Sequence, residues 1–193
     1  MADCQENSES GSYSVWAVIP HHDEDLHSIM TLLREQHNGP VFPPHVTIMV
    51  QPFSTQEDAV NNLKALCEST PPLTLKVVKV DKGNSYHQCV FLLMDKTDEV
   101  VNTHVRALRC FKLISEENSI QEIRQKYKPH LSLLYNRMTD EEVDALCAKV
   151  AAEYEKDLVG KEFNITHLTL YFTDASDDSC DSWVKVAEFP LNG

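Results

Sequence analysis

No run of apolar residues in this 193-residue chain approaches the roughly 18 needed to cross a bilayer as a helix, so a membrane-spanning protein is not expected. Basic residues are scarce: 17 Lys and Arg stand against 30 Asp and Glu, a formal charge of -13. A surface of that sign repels a long phosphate backbone unless a local basic patch overcomes it, which makes small nucleotides easier partners than duplexes. The six cysteines, Cys4, Cys67, Cys89, Cys110, Cys147 and Cys180, include no C-x-x-C pair and no metal-ligand spacing, and a zinc site has no support. They read as buried or idle thiols. Their even number permits disulfides such as Cys67 with Cys180, but a reducing compartment argues against them. The segment Met1 to Ser14 has neither a basic stretch leading into an apolar one nor an excess of arginine, so no secretory or transit signal is read and a cytoplasmic protein is expected.

What is present is the composition of an ordinary globular protein, enough for one domain or one domain of two similar lobes, and too little for two independent enzymes. Residues 1–12, polar and serine-rich, read as a disordered arm ahead of a single domain over 13–193, and a monomer is expected. YSVWAVIP (13–20) reads as a buried strand closed by Pro20. Leu26, Ile29, Met30, Leu32 and Leu33 recur at helical spacing, and Pro43-Pro44 lead into a strand, HVTIMV (45–50). Ser54-Thr55-Gln56-Glu57 has the form of a capping box before Ala59, Val60, Leu63 and Leu66. Two strand-like runs, 73–80 and 86–94, flank Asp81-Lys82-Gly83-Asn84, a hairpin signal. A helix is predicted over 97–108, a mobile connection over 112–128, a strand over 128–135, and a helix after the capping box Thr139-Asp140-Glu141-Glu142. Final strands are predicted over 163–172 and 183–189. Strands and helices without strict β-α-β alternation predict an α+β fold on antiparallel sheets.

Two segments repeat one another about 85 residues apart: Pro44-His45-Val46-Thr47-Ile48-Met49-Val50 and Pro129-His130-Leu131-Ser132-Leu133-Leu134-Tyr135. A weak internal duplication predicts two pseudo-symmetric lobes, each with an antiparallel sheet and packed helices, and an active-site cleft between them where the two histidines meet. Residues two apart in a strand point the same way, so His45 shares a face with Thr47 and His130 with Ser132. Each motif thus offers an imidazole that can give or take a proton near neutrality and a hydroxyl that can bond a phosphoryl oxygen. Opening a cyclic phosphodiester requires water to be deprotonated while the departing oxygen is protonated, and a pair of histidines supplies both roles, with no cofactor. Neither motif contains Asp or Glu, which disfavours a metal-dependent mechanism. His167-Leu168-Thr169 repeats the H-x-T form without the leading proline and reads as a partly buried histidine bonded to its neighbours.

The two motifs, together with YSVWAV, FPPHVTIMV, QCVFLLM and KPHLSLLY in that order, resemble the 2H phosphoesterase superfamily and its plant-type cyclic phosphodiesterase branch. The likeness spans nearly the whole chain. It implies a bilobal α+β fold and metal-independent hydrolysis of ADP-ribose 1'',2''-cyclic phosphate and nucleoside 2',3'-cyclic phosphates, the latter to 2'-phosphates. It nominates His45 and His130 as the catalytic pair, Thr47 and Ser132 as phosphate-binding hydroxyls, and Tyr135 and Trp16 as substrate-binding pocket residues. Tyr135 lies an odd number of residues from His130 and needs a bulge or a strand end to reach the cleft. Trp16 is placed either against a base or ribose, or in the core. Arg124, Lys126 and Lys128 are candidates for a second phosphate. Two other readings remain open: an enzyme acting on 2',3'-cyclic RNA ends or 2',5'-linked oligoadenylate, and a nucleotide-binding module without turnover.

Overall fold

The computed structural model describes residues 11–20, 23–52 and 54–193. Most of the predicted arm, residues 1–10, therefore lies outside the described residues, while Ser12 already belongs to the first strand, β1 (Ser12–Val18). There follow α1 (Glu24–His37), β2 (His45–Pro52), α2 (Gln56–Glu68), β3 (Leu73–Lys82), a single 3-10 turn (Tyr86–Gln88), β4 (Val90–Met94), α3 (Asp98–Cys110), α4 (Ile120–Lys126), β5 (His130–Leu134), α5 (Asp140–Leu158), β6 (Glu162–Ile165), β7 (His167–Thr173) and β8 (Val184–Pro190). Each described helix opens where a side chain takes over an orphan backbone N–H. Asp23, Thr55, Thr97, Ser119 and Thr139 accept from Leu26, Asp58, Val100, Glu122 and Glu142. The Thr139 box forms as read from the sequence, whereas α2 is capped by Thr55 and not by Ser54.

The strands lie in the order β6-β3-β4-β5-β2-β1-β7-β8, with every pair antiparallel. The order is its own mirror: β2 and β5 meet at the centre, β1 and β4 flank them, then β7 and β3, then β8 and β6. This is the bilobal α+β architecture expected from the duplicated motif. The halves join at a narrow seam, where β2 and β5 share the one registered pair Val46–Leu131. Val46, Ile48, Leu131 and Leu133 are fully buried or nearly so, under helices that pack on both halves. Alternation along each strand therefore turns the odd-numbered His45 and Thr47, and the even-numbered His130 and Ser132, to the opposite, open face. Among the described residues no helix is long and apolar enough to cross a membrane.

Three local expectations are corrected. The run 163–172 is two strands, β6 on β3 and β7 between β1 and β8, because the buried positions slip phase from Phe163 and Ile165 to Leu168 and Leu170. Residues 86–88 form a 3-10 turn rather than the start of a strand, tied by the Asn136 N–H to the Tyr86 carbonyl at 3.1 Å. The connection 112–128 contains α4, a helix of two turns, too short to show a period in sequence but held by the Ser119 cap and by Arg124 bonded to Asp98 and to the Lys96 carbonyl.

Candidate active site

The seam between the lobes builds the site by register alone. With Val46 opposite Leu131, one step along each antiparallel strand brings Thr47 opposite His130 and His45 opposite Ser132. Directly opposed residues share a face with Cβ atoms about 5 Å apart. The four motif side chains thus form one diagonal quartet, two imidazoles and two hydroxyls, and all four line a single cavity of about 640 Å³.

Each imidazole is oriented by the chain just ahead of it. His45 Nδ1 lies 2.6 Å from the Pro43 carbonyl oxygen, and His130 Nδ1 lies 2.7 Å from that of Lys128. A carbonyl only accepts, so Nδ1 carries the hydrogen and Nε2 is left as the basic nitrogen of the neutral ring. The leading prolines produce this geometry, since the residue before a proline is held extended and presents its carbonyl back to the ring. Pro44 and Pro129 are themselves anchored alike, their carbonyls accepting from Ile19 and Met94, both at 2.9 Å.

Both rings also rest on an aromatic side chain of the flanking strand. Trp16, opposite Thr47 in β1, stacks on His45 with ring centroids 3.6 Å apart and 12° between planes. Phe91, opposite Ser132 in β4, lies 5.0 Å from His130 at 58°. Trp16 also stacks on Tyr171 at 4.0 Å, and two near-parallel rings this close can only occupy opposite faces. With its Nε1 donating to Ser14 Oγ at 2.6 Å and 2% of its surface exposed, Trp16 supports His45 and presents no open face to a base. Tyr135 reaches the cavity because β5 ends at Leu134 and the β4–β5 register slips at Val90/Phe91, so both devices that could accommodate its odd spacing are present. Its hydroxyl bonds Ser132, and Phe42 covers one face of its ring at 3.8 Å.

The electrostatics oppose the net charge of the chain. Among the described residues no carboxylate lines the cavity, while Lys126, Lys128 and the histidines 45, 87, 104 and 130 do. Burial pushes the His45 imidazole down to about 4, with the neighbouring His130 adding to the effect. Burial also lowers His130, His87 and His104. Lys128 sits 4.5 Å over the Phe91 ring and pairs with Asp81 at 3.4 Å, whereas Arg124 is turned away onto Asp98. Ser132 Oγ donates to the His87 carbonyl at 2.7 Å; Thr47 Oγ1 has no partner among the described residues. No group of three or more His, Cys, Asp or Glu side chains among them is placed to hold a metal ion. The described cysteines, Cys67, Cys89, Cys110, Cys147 and Cys180, are free thiols.

His167 stands apart: exposed at the start of β7 and bonded to Thr166 Oγ1 at 2.9 Å, it lies outside this cavity. It is bonded to its neighbour as expected, but more open to solvent. Among the cavity residues, four that carry aromatic rings were not singled out for it in sequence: His87, His104, Tyr127 and Trp183. Tyr127 stacks on His104 at 3.8 Å and donates to the Thr47 carbonyl at 3.1 Å, bracing β2 from the far side. None of the four sits in a repeated motif, and only the fold gathers them.

The pattern of the 2'-5' RNA ligase superfamily matches residues 13–177. The chain is 33% identical over 181 residues to the cyclic phosphodiesterase of Arabidopsis thaliana, covering 93% of this chain and 95% of that one. Among solved structures, Thermus thermophilus TT0787 superposes with a TM-score of 0.64 at 16% identity, over 94% of this chain and 98% of the other. Escherichia coli LigT bound to 3'-AMP superposes with a TM-score of 0.56 at 12% identity, over 96% and 100%. With two histidine motifs at the seam of a bilobal sheet and a relative matched over nearly its full length, this chain belongs to the 2'-5' RNA ligase superfamily, the 2H phosphoesterases.

Proposed function

We propose that this phosphodiesterase opens nucleoside 2',3'-cyclic phosphates to 2'-phosphates, and ADP-ribose 1'',2''-cyclic phosphate to the 1''-phosphate, by two-histidine acid–base catalysis without a metal. The observation that carries the proposal is the matched pair of imidazoles, each with Nδ1 held by the carbonyl two residues upstream and Nε2 free for a cavity that both side chains line. His45, buried and neutral, takes a proton from the attacking water at Nε2. His130, nearer solvent and acting in its protonated form, gives its Nε2 proton to the leaving oxygen, which is O3' of a nucleoside substrate and O2'' of the ADP-ribose compound. The water oxygen bonds to phosphorus as the P–O bond on the far side breaks, so the ring opens with one new hydroxyl and one phosphate monoester. Thr47 and Ser132 donate to the non-bridging oxygens as charge gathers there.

Small substrates are favoured over long RNA, because the basic lining is confined to the cavity of a chain whose formal charge is -13. The deciding experiment incubates the protein in excess EDTA with adenosine 2',3'-cyclic phosphate and with ADP-ribose 1'',2''-cyclic phosphate, beside His45→Ala, His130→Ala and His167→Ala. Products are separated by chromatography. Wild type and His167→Ala should turn over, and each motif variant should fall by at least ~10². Activity that appears only on adding a metal, or 3'-phosphates as the sole nucleoside products, would overturn the mechanism or the bond assignment respectively.

A further inference from the structure

The cavity has two ends, and strand direction tells them apart. β2 and β5 run antiparallel through the quartet, so the residues after Thr47 in β2 and those before His130 in β5 lie at one end, with Tyr135 at the other. At the first end no residue of β2 beyond Val46 is registered with β5, and carbonyls of β2 accept from side chains. Tyr127 Oη reaches the Thr47 carbonyl at 3.1 Å, and His104 Nδ1 reaches that of Ile48 at 2.6 Å. β1 brings Ser14 to the same end, opposite Val50. Ser14, His104, Lys126 and Tyr127 all line the cavity. The Ile48 carbonyl lies one residue past Thr47 and Val50 three, so this end extends roughly 3 to 10 Å along the strand from the quartet. A ribose that presents its cyclic phosphate to the quartet covers that span with the arm at its C5.

Two polar groups at this end are not engaged by the protein. Lys126, exposed on the last turn of α4, makes no ion pair or hydrogen bond among the described residues. It differs in this from its neighbours, since Arg124 is bound to Asp98 and Lys128 to Asp81. His104 is held at Nδ1 alone, and its ring lies flat on Tyr127 at 3.8 Å and 7° between planes. The stack fixes the plane of the imidazole, and Nε2 is the nitrogen left for a ligand. Burial by itself keeps the ring toward its neutral form. A neighbouring negative charge favours the charged form, so an anion seated here draws a proton onto Nε2 and receives a hydrogen bond from it. A free lysine and an oriented imidazole, on a cavity that no carboxylate lines among the described residues, describe a site for an anion.

We propose that Lys126 and His104 form a subsite for a second phosphate, the one carried on C5 of the ribose whose cyclic phosphate the quartet opens. The subsite rests on the phosphodiesterase reading above and makes ribose cyclic phosphates with a 5-phosphate better substrates than those with a 5-hydroxyl. In the ADP-ribose compound it holds the pyrophosphate. The test measures kcat/KM for adenosine 2',3'-cyclic phosphate with and without a 5'-phosphate, at low and fixed ionic strength, and reads the ratio of the two. Base and reacting bonds are common to both compounds, so the ratio weighs the second phosphate alone. Wild type should favour the 5'-phosphorylated compound by about tenfold to a hundredfold, the range for hydrogen bonds to a charged group. Lys126→Ala should remove most of that preference and Lys126→Arg should keep it. His104→Asn retains a donor for the Ile48 carbonyl but loses Nε2, and should lower the ratio as well. Lys64→Ala, which removes the same charge from an exposed position on α2, should leave the ratio at the wild-type value. A wild-type ratio near one, a ratio unchanged in Lys126→Ala, or equal losses on both substrates overturns the subsite while leaving the phosphodiesterase intact. Should wild type hydrolyse neither compound, the activity reading fails on its own, and calorimetric titration with adenosine 2',5'-bisphosphate and adenosine 2'-monophosphate decides the subsite. Tighter binding of the bisphosphate that is lost in Lys126→Ala sustains it; equal affinities, or no binding of either, remove it.

Discussion

His45 is a buried ionisable group that the fold must keep uncharged, and this ties stability to pH by an amount that can be worked out. Its side chain is closed in by Trp16 and burial holds its pKa at about 4, against about 6.5 in an unfolded chain. Between these values the unfolded chain binds a proton that the folded chain does not. The penalty is therefore absent above about pH 7.5, grows as the pH falls through 6.5, and levels off below about 4. Integrating the two titrations gives a loss of about 2.5 kcal/mol on going from about pH 7.5 to about pH 4.5. His45→Asn removes the titration and keeps an amide able to donate to the Pro43 carbonyl. Urea unfolding of both proteins at the two pH values, followed by circular dichroism, gives the difference between them. That difference should move by about 2.5 kcal/mol in favour of the variant at the lower pH, since the other buried histidines titrate in both and cancel. A difference constant to within about 0.5 kcal/mol would refute the claim that His45 is held neutral by burial.

The same titrations set the rate. If His45 is the base, activity is lost as the pH falls through about 4, and if His130 is the acid it is lost as the pH rises through a value that burial has lowered below 6.5, so kcat/KM should peak on the acid side of 6.5. A profile that climbs to a plateau above about pH 8 contradicts this assignment of roles. The two hydroxyls should separate by their partners: Thr47→Val and Ser132→Ala should each lower kcat by about 10² to 10³ if both stabilise the transition state. Only Ser132→Ala strips bonds from the His87 carbonyl and the Tyr135 hydroxyl, and thermal melts should show it losing about 1–3 kcal/mol, more than Thr47→Val.

Much of the architecture was readable because period and punctuation are local. Alternation in 45–50 and 128–135, the capping box at Thr139 and the prolines before each histidine all act within a few residues, and the structure keeps them. The duplication carried further: two like motifs implied two like lobes, and the mirror order of the sheet follows. Where the signals were short or out of phase the reading went astray. Two turns of α4 show no period, and one continuous run of strand-like residues divides at Thr166 because its two halves serve different lobes.

The residue types and the pairing of motifs by themselves determined that two imidazoles and two hydroxyls share a face, since side chains two apart in any strand must do so. What only the tertiary structure decided is everything that depends on contacts distant in sequence. The register at Val46–Leu131 makes the quartet diagonal. Trp16, equally readable as core or as stacking surface, lies stacked against both His45 and Tyr171, the latter 155 residues further along the chain. Trp183 and His87 become neighbours because Asp178 is clasped by Arg137 and Tyr86 across the seam. Strand geometry is a property of a few consecutive residues, and burial, stacking and charge are properties of what the fold brings alongside them.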